Sequence, residues 1–404
     1  MALTVREAAG SLLVVGLAGT ELTALERAWL KLVRPGGVIL FRRNIADVGQ
    51  TRALLNEATG LGARFAARCV DVEGGTVNRL RDALAPIASA QAVAAADRNI
   101  AGASSLLPSH PRKKRRMDGA PRRSGKATLA HKHGELIAQA VKAFGFNTTL
   151  APVLDLTLPE ATDVLGSRTT GATAADVIEY AREFLAGVAG QGVVGCGKHF
   201  PGLGGASGDT HFVTPAIART WEQLWKDDTV PYRELHKQMP IIMTNHAAYP
   251  RTQGKNVPAS ASRFWITETL RKKIGYKGLV LSDDLEMGGI LKFLPVEQAA
   301  VEAIRAGSDL LEICHSAELI LRTYEALISE AERSAAFRNV LLRTAQDSGR
   351  KRARLYGASR TAPPSAKALE SLRNKILAFN DSVAAQANAA AVVDPRAAAP
   401  AEAS

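Results

Sequence analysis

The chain has 404 residues, 46% of them hydrophobic, which suffices for one large domain or two ordinary ones with a full apolar core. The formal net charge is +12, but more than half of the basic excess lies in residues 111–126, with eight Lys or Arg and one Asp. A basic charge confined to one segment argues against a nucleic-acid-binding fold, and no apolar run approaches the ~20 residues that span a bilayer.

The three cysteines, Cys69, Cys196 and Cys314, lie in or beside apolar runs. Their odd number and unpaired spacing predict buried core residues and not a disulfide framework. The first apolar run, SLLVVGLAG, is short and has no basic segment before it, so we predict no secretory leader and expect a cytoplasmic protein.

Short apolar runs recur along the chain and are predicted to be strands. The eight runs are 12–17, 37–41, 65–72, 148–156, 193–200, 241–246, 279–285 and 309–314. Most are continuously hydrophobic and not alternating, which is typical of parallel strands buried on both faces.

The segments between these runs have helical patterns. In residues 173–192 the apolar side chains form one stripe, Thr173 with Asp176 resembles an N-cap pair, and Gly192 suits the end of a helix. Similar helices are predicted at 22–33, 217–238, 261–274, 296–306 and 316–345.

Eight strand–helix units predict an α/β fold, a TIM-like (β/α)8 barrel, with a doubly wound open sheet as the alternative. Polar residues at the ends of successive strands favour the barrel, because there these ends converge on one mouth. These residues are Asp71, Asp155, Lys198, His199, Asn245, His246, Asp283 and Asp284.

Two segments fall outside this pattern. Residues 101–130 contain Pro, Gly, Ser and the basic run KKRR, and we interpret them as an exposed or disordered loop insertion; a nuclear signal or nucleic-acid patch is the alternative. We therefore predict a catalytic barrel domain over 1–345 and an Ala/Pro-rich tail over 346–404, helical at 365–390 and otherwise disordered.

The stretch 281-LSDDLEMGG-289 places two carboxylates at the end of the seventh predicted strand. Adjacent residues of a strand point to opposite sides, so we assign Asp283 to the barrel mouth and Asp284 to the cap of the next helix. A carboxylate at the mouth could attack an anomeric carbon or bind a metal.

The fifth predicted strand ends in Lys198 and His199, and a glycine-rich loop leads from there to Asp209 and His211. A carboxylate beside an imidazole fixes its tautomer and raises its basicity. The loop is thus predicted to deliver and withdraw an acid/base, with an ordinary surface loop as the alternative.

Asp71 ends the third predicted strand, and Arg79 follows on the next segment. Carboxylate and guanidinium groups commonly hold sugar hydroxyls, but they equally form structural ion pairs. Arg168 lies on a loop, where a lone arginine is usually solvated, so its candidacy depends on these neighbours.

Over residues 10–345 the sequence resembles the β-N-acetylhexosaminidases of glycoside hydrolase family 3, of the single-domain bacterial kind that works in peptidoglycan recycling. The residues that carry the resemblance are GGVILFRRN (36–44), VDVEGG (70–75), NTTLAPVLDL (147–156), GKHFPG (197–202), DTH (209–211), MTNHAAYP (243–250) and SDDLEM (282–287). The fold that it implies is a TIM-like barrel, in agreement with the strand count.

The resemblance implies a role for each matching residue. Asp283 matches the catalytic nucleophile, His211 the general acid/base and Asp209 its orienting partner. The positions that match N-acetylglucosamine-binding residues are Asp71, Arg79, Arg168, Lys198 and His199. The implied reaction is retaining hydrolysis of terminal β-linked N-acetylglucosamine from muropeptide-type or short glycosides, with no metal, cofactor, membrane or nucleic-acid partner.

The sequence departs from the family pattern in three places. Leu203, Gly205 and Ala206 replace polar residues of the loop, which puts its docking in doubt; Thr76 stands where arginine is usual; and residues 101–130 have no counterpart.

Other functions stay open. A β-glucosidase has the same fold, and a barrel metallohydrolase could use His199, His211 and Asp283 as ligands, although the His-x-His pair common at a first strand is missing. A non-catalytic sugar or nucleic-acid binder would give the basic segment 111–126 a function.

Overall fold

The sheet is a closed barrel of eight parallel strands in the order β1-β10-β9-β8-β7-β6-β3-β2, with β4 and β5 forming an antiparallel hairpin beside it. The computed structural model describes residues 3–105, 127–206, 215–357 and 362–391. The strands are β1 Leu13–Val15, β2 Gly37–Leu40, β3 Ala67–Val70, β4 Val72–Gly74, β5 Val77–Asn78, β6 Thr148–Thr149, β7 Val194–Phe200, β8 Ile241–Thr244, β9 Leu279–Asp284 and β10 Leu310–Ile313. Each predicted strand contributes one barrel strand, so the predicted TIM-like barrel is confirmed and the open sheet is wrong.

Helices surround the barrel. They are α1 Val5–Ser11, α2 Ala24–Val33, α3 Val48–Leu61, α4 Ala90–Ser105, α5 Leu129–Ala143, α6 Thr162–Leu165, α7 Ala174–Gly190, α8 Trp221–Gln223, α9 Val230–Leu235, α10 Gly288–Leu291, α11 Val296–Ala306, α12 Ala317–Arg333, α13 Ala335–Tyr356 and α14 Ala366–Ala391. Two of the predicted helices contain π-helical stretches, Leu224–Asp228 and Phe264–Lys273. Within the described residues, no helix combines the length and the apolarity that crossing a bilayer requires.

Helix α7 forms where the sequence predicts it. The hydroxyl of Thr173 accepts a hydrogen bond from the backbone N–H of Asp176, whose carboxylate accepts one in return, so the predicted N-cap is a full capping box. The predicted apolar stripe, including Tyr180 and Phe184, is buried. The helix itself ends at Gly190.

The predicted helix 316–345 is two helices in the structure. The break lies at Ser334, whose extended backbone ends α12 and whose hydroxyl caps the backbone N–H of Phe337 at the start of α13. Helix α13 then runs to Tyr356, across the domain boundary that we predicted at 345.

The end of α13 closes the bottom of the barrel. The Tyr356 hydroxyl lies 2.9 Å from the Thr148 hydroxyl, and Arg352 Nη1 donates to the carbonyl oxygens of Gly36 and Arg64 at 3.2 and 3.3 Å. Burial without an acidic partner lowers the pKa of Arg352 to about 10. The end of α13 is thereby held against the amino-terminal ends of the strands.

Helix α14 packs against the outside of the barrel domain. Its buried residues include Ile376, Phe379 and Val383. The Phe379 ring stacks on His133 of α5 with a centroid distance of 5.7 Å, and the Asn380 side chain bonds the backbone of Ala88. The helical part of the predicted tail thus belongs to the folded unit.

Helices α5 and α7 approach closely at Gly134. A methyl group added there would lie 2.2 Å from the Phe184 carbonyl oxygen, whereas one at Gly349 in the middle of α13 meets nothing within 4 Å. We expect Gly134→Ala to lower the free energy of unfolding by about 1–3 kcal/mol through overpacking. Gly349→Ala should raise it by about 0.5–1 kcal/mol through helix propensity. Urea unfolding of both variants measures this, and equal effects would contradict the packing argument.

Candidate active site

One cavity of about 210 Å³ lies at the carboxyl ends of the barrel strands. Its polar lining residues are Asp71, Arg79, Arg168, Lys198, His199, Asp283, Asp284, Glu312 and His315. The five predicted sugar-binding residues and the predicted nucleophile thus face one space. The other two predicted catalytic residues, Asp209 and His211, lie outside the described residues, as does the basic segment 111–126.

Lys198 of β7 is the centre of a buried charge cluster. Its Nζ lies 2.8 Å from Asp71 Oδ1 and 2.7 Å from Glu73 Oε1, and its side chain is only 4% exposed. Burial opposes the charge on Lys198, but the two carboxylates outweigh burial and raise its pKa above the ordinary value. Lys198 is therefore a permanent ammonium group at the edge of the cavity.

Glu73 joins Lys198 to Arg168. Its two carboxylate oxygens each accept a hydrogen bond of 2.9 Å from Arg168, in the fork geometry that guanidinium and carboxylate favour. Burial acts against the Glu73 carboxylate, yet the charges of Arg168 and Lys198 hold its pKa well below the ordinary value. Sequence reasoning missed Glu73, although its position two residues after Asp71 puts both on one side of an extended chain.

Asp71 is less tightly paired on its other oxygen. Arg79 Nη2 lies 3.9 Å from Asp71 Oδ2, and the Arg79 guanidinium stands 5.7 Å from the centre of the Phe41 ring. Burial of Asp71 is outweighed by the charges of Lys198 and Arg79, which lower its pKa. The pair leaves an anionic acceptor and a cationic donor at the cavity wall.

His199 is fixed by Asp155. Its Nδ1 lies 2.7 Å from Oδ2 of this fully buried carboxylate, and its Nε2 lies 3.3 Å from Arg168 Nη2. Asp155 Oδ1 also accepts the backbone N–H of Leu203 at 2.8 Å. Both ring nitrogens of His199 are thus engaged, which disfavours the metal-ligand role of the metallohydrolase alternative.

Asp283 and Asp284 both line the cavity, but they differ in their hydrogen bonds. Asp283 Oδ1 accepts one, from the backbone N–H of Asp284 at 3.0 Å. Asp284 Oδ1 accepts the backbone N–H groups of Glu286 and Cys314. Asp284 therefore caps a turn and the end of β10, and not the following helix as we predicted; burial raises its pKa to about 7.

Asp284, Glu286 and His315 offer ligand atoms within 4.8 Å of one another. The two carboxylate oxygens of Glu286, however, accept the backbone N–H groups of His315 and Ser316. Because of these hydrogen bonds, we interpret the cluster as a support for the loop after β10.

The departures from the family pattern lie on a docked loop. Leu203 lines the cavity, and both Leu203 and Ala206 are buried. Apolar burial thus replaces the missing polar groups as far as Ala206, the last described residue before the gap.

Two further cavity residues escaped the sequence analysis. His315 lies against Phe41 with a ring distance of 5.2 Å. Glu312 of β10 is buried, and its Oε1 has no hydrogen-bond partner among the residues that the structure describes. A charged residue in the middle of the run 309-DLLEIC-314, between apolar neighbours, was the signal that could have identified Glu312.

The buried cluster makes a testable contribution to stability. We expect Glu73→Gln to lower the free energy of unfolding at pH 7 by about 3 kcal/mol, because two buried cations lose a charge partner. Since the pKa of Glu73 is lowered on folding, its stabilising effect is complete above the ordinary value of 4.5 and is lost as the pH falls below it.

The difference between wild type and Glu73→Gln should therefore shrink in urea unfolding as the pH drops below about 4.5. Glu318→Gln, at an exposed pair with Arg322, is the control and should show no resolvable loss. A difference that does not depend on pH would contradict the ionised state of Glu73.

The sequence and the fold are both similar to known proteins. Residues 4–342 match the glycosyl hydrolase family 3 N-terminal domain. The β-hexosaminidase of Idiomarina loihiensis is 32% identical over 326 residues, 81% of this chain and 90% of the relative. The β-hexosaminidase of Methylococcus capsulatus is 32% identical over 371 residues, 91% of this chain and 98% of the relative.

Among solved structures, the family 3 β-N-acetylglucosaminidase from Paenibacillus sp. str. FPU-7 has a TM-score of 0.79 at 27% identity, covering 95% of this chain and 69% of its own. NagZ from Neisseria gonorrhoeae in complex with N-trifluoroacetyl-D-glucosamine has a TM-score of 0.68 at 26% identity, covering 93% of this chain and 98% of its own. The match spans the barrel and both relatives are covered almost in full, so the chain belongs to glycosyl hydrolase family 3 and is a glycosidase.

Proposed function

We propose that this chain is a retaining β-N-acetylglucosaminidase. The observation that carries the proposal is that Asp283, a carboxylate with one backbone hydrogen bond, shares a cavity with a buried cluster of cations and carboxylates. The β-hexosaminidase relatives and the solved sugar complex of NagZ support the same substrate class.

The charged cluster is suited to holding a sugar ring. Lys198 and Arg168 present donors whose positions are fixed by Glu73, and Asp71 presents an acceptor. His199 positions Arg168 through its Nε2. Hydrogen bonds to ionised groups are stronger than neutral ones, and prior fixation reduces the entropy lost on binding. We assign these residues and Arg79 to hydroxyl recognition.

Catalysis would proceed in two displacements. In the first, an oxygen of Asp283 attacks the anomeric carbon while His211, oriented by Asp209, gives its proton to the departing glycosidic oxygen. In the second, His211 takes a proton from water, whose oxygen attacks the same carbon and releases Asp283. Two inversions give net retention.

An imidazole acid also accounts for the number of carboxylates. Most retaining glycosidases pair two carboxyl groups about 5 Å apart, one of them the acid. Here the neighbouring carboxylates have other partners, Asp71 with Lys198 and Asp284 with backbone N–H groups. The remaining cavity carboxyl group, Glu312, is disfavoured because burial and the neighbouring carboxylates raise its pKa, so Asp283 is left as the nucleophile.

The natural substrate that we propose is a terminal β-linked N-acetylglucosamine on a muropeptide-type or short glycoside, as in peptidoglycan recycling. The alternative within the same fold is a β-glucosidase. Turnover of an aryl N-acetyl-β-glucosaminide in preference to the aryl β-glucoside is the expected result; the reverse preference would replace the proposal.

The nucleophile can be identified directly. A fluorinated N-acetylglucosamine-type inactivator should form a stable ester on Asp283, because fluorine slows hydrolysis of the glycosyl-enzyme more than its formation. Peptide mapping by mass spectrometry is expected to find the label on the peptide containing SDDLEM, and Asp283→Asn should take up none. A label on any other carboxylate would overturn the assignment.

The acid/base can be tested by the leaving group. Removing a general acid/base typically costs ~10²–10⁴-fold in rate, so His211→Ala should lose that much on alkyl glycosides. A nitrophenyl group needs little protonation to depart, so the loss there should be much smaller at the first step. Equal losses on both substrates would exclude His211 as the acid.

A further inference from the structure

The floor of the cavity is apolar except at one position. Ile39 of β2, Met243 of β8 and Leu150, directly after β6, are buried cavity-lining residues that belong to the interior cluster of the barrel. Glu312 lines the same cavity from β10 and is only 2% exposed. On that strand Leu310 and Cys314 also belong to the interior cluster, so Glu312 occupies an inward position of the same alternation.

Glu312 differs from the other carboxyl groups of the cavity in its hydrogen bonds. Asp71 is paired with Lys198, and Asp284 accepts backbone N–H groups. Glu312 Oε1 is buried with no partner in the described part of the chain. Buried polar atoms without partners are rare in folded proteins because they destabilise the fold, so this oxygen can take a partner from a bound ligand.

The charges around Glu312 determine what kind of partner fits. Burial, and then the carboxylates of Asp71, Asp283 and Asp284, raise its pKa well above the ordinary value, while Lys198 acts in the opposite direction. This shift favours the protonated form of the Glu312 carboxyl group. A neutral carboxyl group has one O–H donor, so it complements an acceptor oxygen and repels no carboxylate.

We propose that Glu312 is a specificity-determining residue that donates a hydrogen bond from the cavity floor to an acceptor oxygen of the bound sugar. The assignment rests on the proposed function, since a sugar supplies hydroxyl and acetamido oxygens that the apolar floor cannot satisfy. It adds a contact on the side of the sugar opposite to solvent, beneath the charged cluster around Lys198.

Two substitutions separate this role from a structural one. Glu312→Gln keeps the shape and an N–H donor, and should retain kcat/KM for an aryl N-acetyl-β-glucosaminide within about threefold. Glu312→Leu removes the donor and leaves a sugar oxygen unpaired, so kcat/KM should fall about tenfold or more. The Leu variant should unfold at equal or higher urea concentration than wild type, because the unpaired buried atom is gone.

The acceptor can be located with two substrates. If Glu312→Leu lowers kcat/KM for the aryl N-acetyl-β-glucosaminide alone, the hydrogen bond is to the acetamido group. If it lowers kcat/KM equally for the aryl β-glucoside, the hydrogen bond is to a ring hydroxyl. Both outcomes support the proposal. Activity and N-acetylglucosamine affinity unchanged from wild type in Glu312→Leu would overturn it.

Direct binding keeps the test independent of turnover. The affinity for N-acetylglucosamine can be measured by calorimetry. Wild type and Glu312→Gln should bind it about equally well, and Glu312→Leu should bind it more weakly. A wild type that binds N-acetylglucosamine without hydrolysing the glycoside would refute the proposed function, and the binding series would still decide the role of Glu312. Should Glu312→Leu fail to fold, Glu312→Met supplies an unbranched apolar replacement for the same comparison.

The protonation state of Glu312 can be tested by the pH dependence of protein stability. Because its pKa is raised on folding, it stabilises the fold fully below the ordinary value of 4.5 and loses that effect as the pH rises. The stability of Glu312→Gln relative to wild type should therefore increase with pH above about 4.5. A relative stability that stays constant above about pH 4.5 would mean that Glu312 ionises as readily in the folded protein as in the unfolded chain, and would overturn the donor role.

Discussion

The ammonium group of Lys198 is the constraint on which the barrel mouth depends. Asp71 and Glu73 lie in one short segment, but Lys198 pairs with Asp71 across 127 residues and Arg168 pairs with Glu73 across 95 residues of the chain. Charges of this kind are tolerated out of water only when they are paired. The pairing also fixes the positions of the donors, so the same interactions that allow burial define the polar wall of the cavity.

Much of the fold was predictable because it rests on local patterns. Continuous apolar runs gave all eight barrel strands, and the spacing of apolar residues with Thr173 and Asp176 gave α7. The break at Ser334 was missed because the apolar pattern continues through it, although a capping serine was present. The packing of α14 was missed although its buried residues Leu372, Ile376 and Phe379 recur at helical spacing. The sequence of this segment does not identify the surface that they meet, which α4 and α5 provide.

The site was predictable where residues end strands and less so elsewhere. Asp71, Lys198 and Asp283 follow apolar runs, and the barrel brings such positions together. Glu73 lies in the hairpin strand β4, whose pairing with Val77–Asn78 is a matter of backbone geometry. In the sequence, Glu312 occupies a core position where an apolar residue is expected. Its role depends on carboxylates from other strands. The pairing of charged residues that lie far apart in the chain is what could not be predicted from the sequence.

The single buried carboxylate of Asp155 accepts hydrogen bonds from both the ring of His199 and the backbone N–H of Leu203. The orientation of the His199 imidazole and the backbone at Leu203 therefore depend on one side chain. Loss of the Asp155 carboxylate would release both at once, so the cavity wall and the first residues of the following loop are coupled through it.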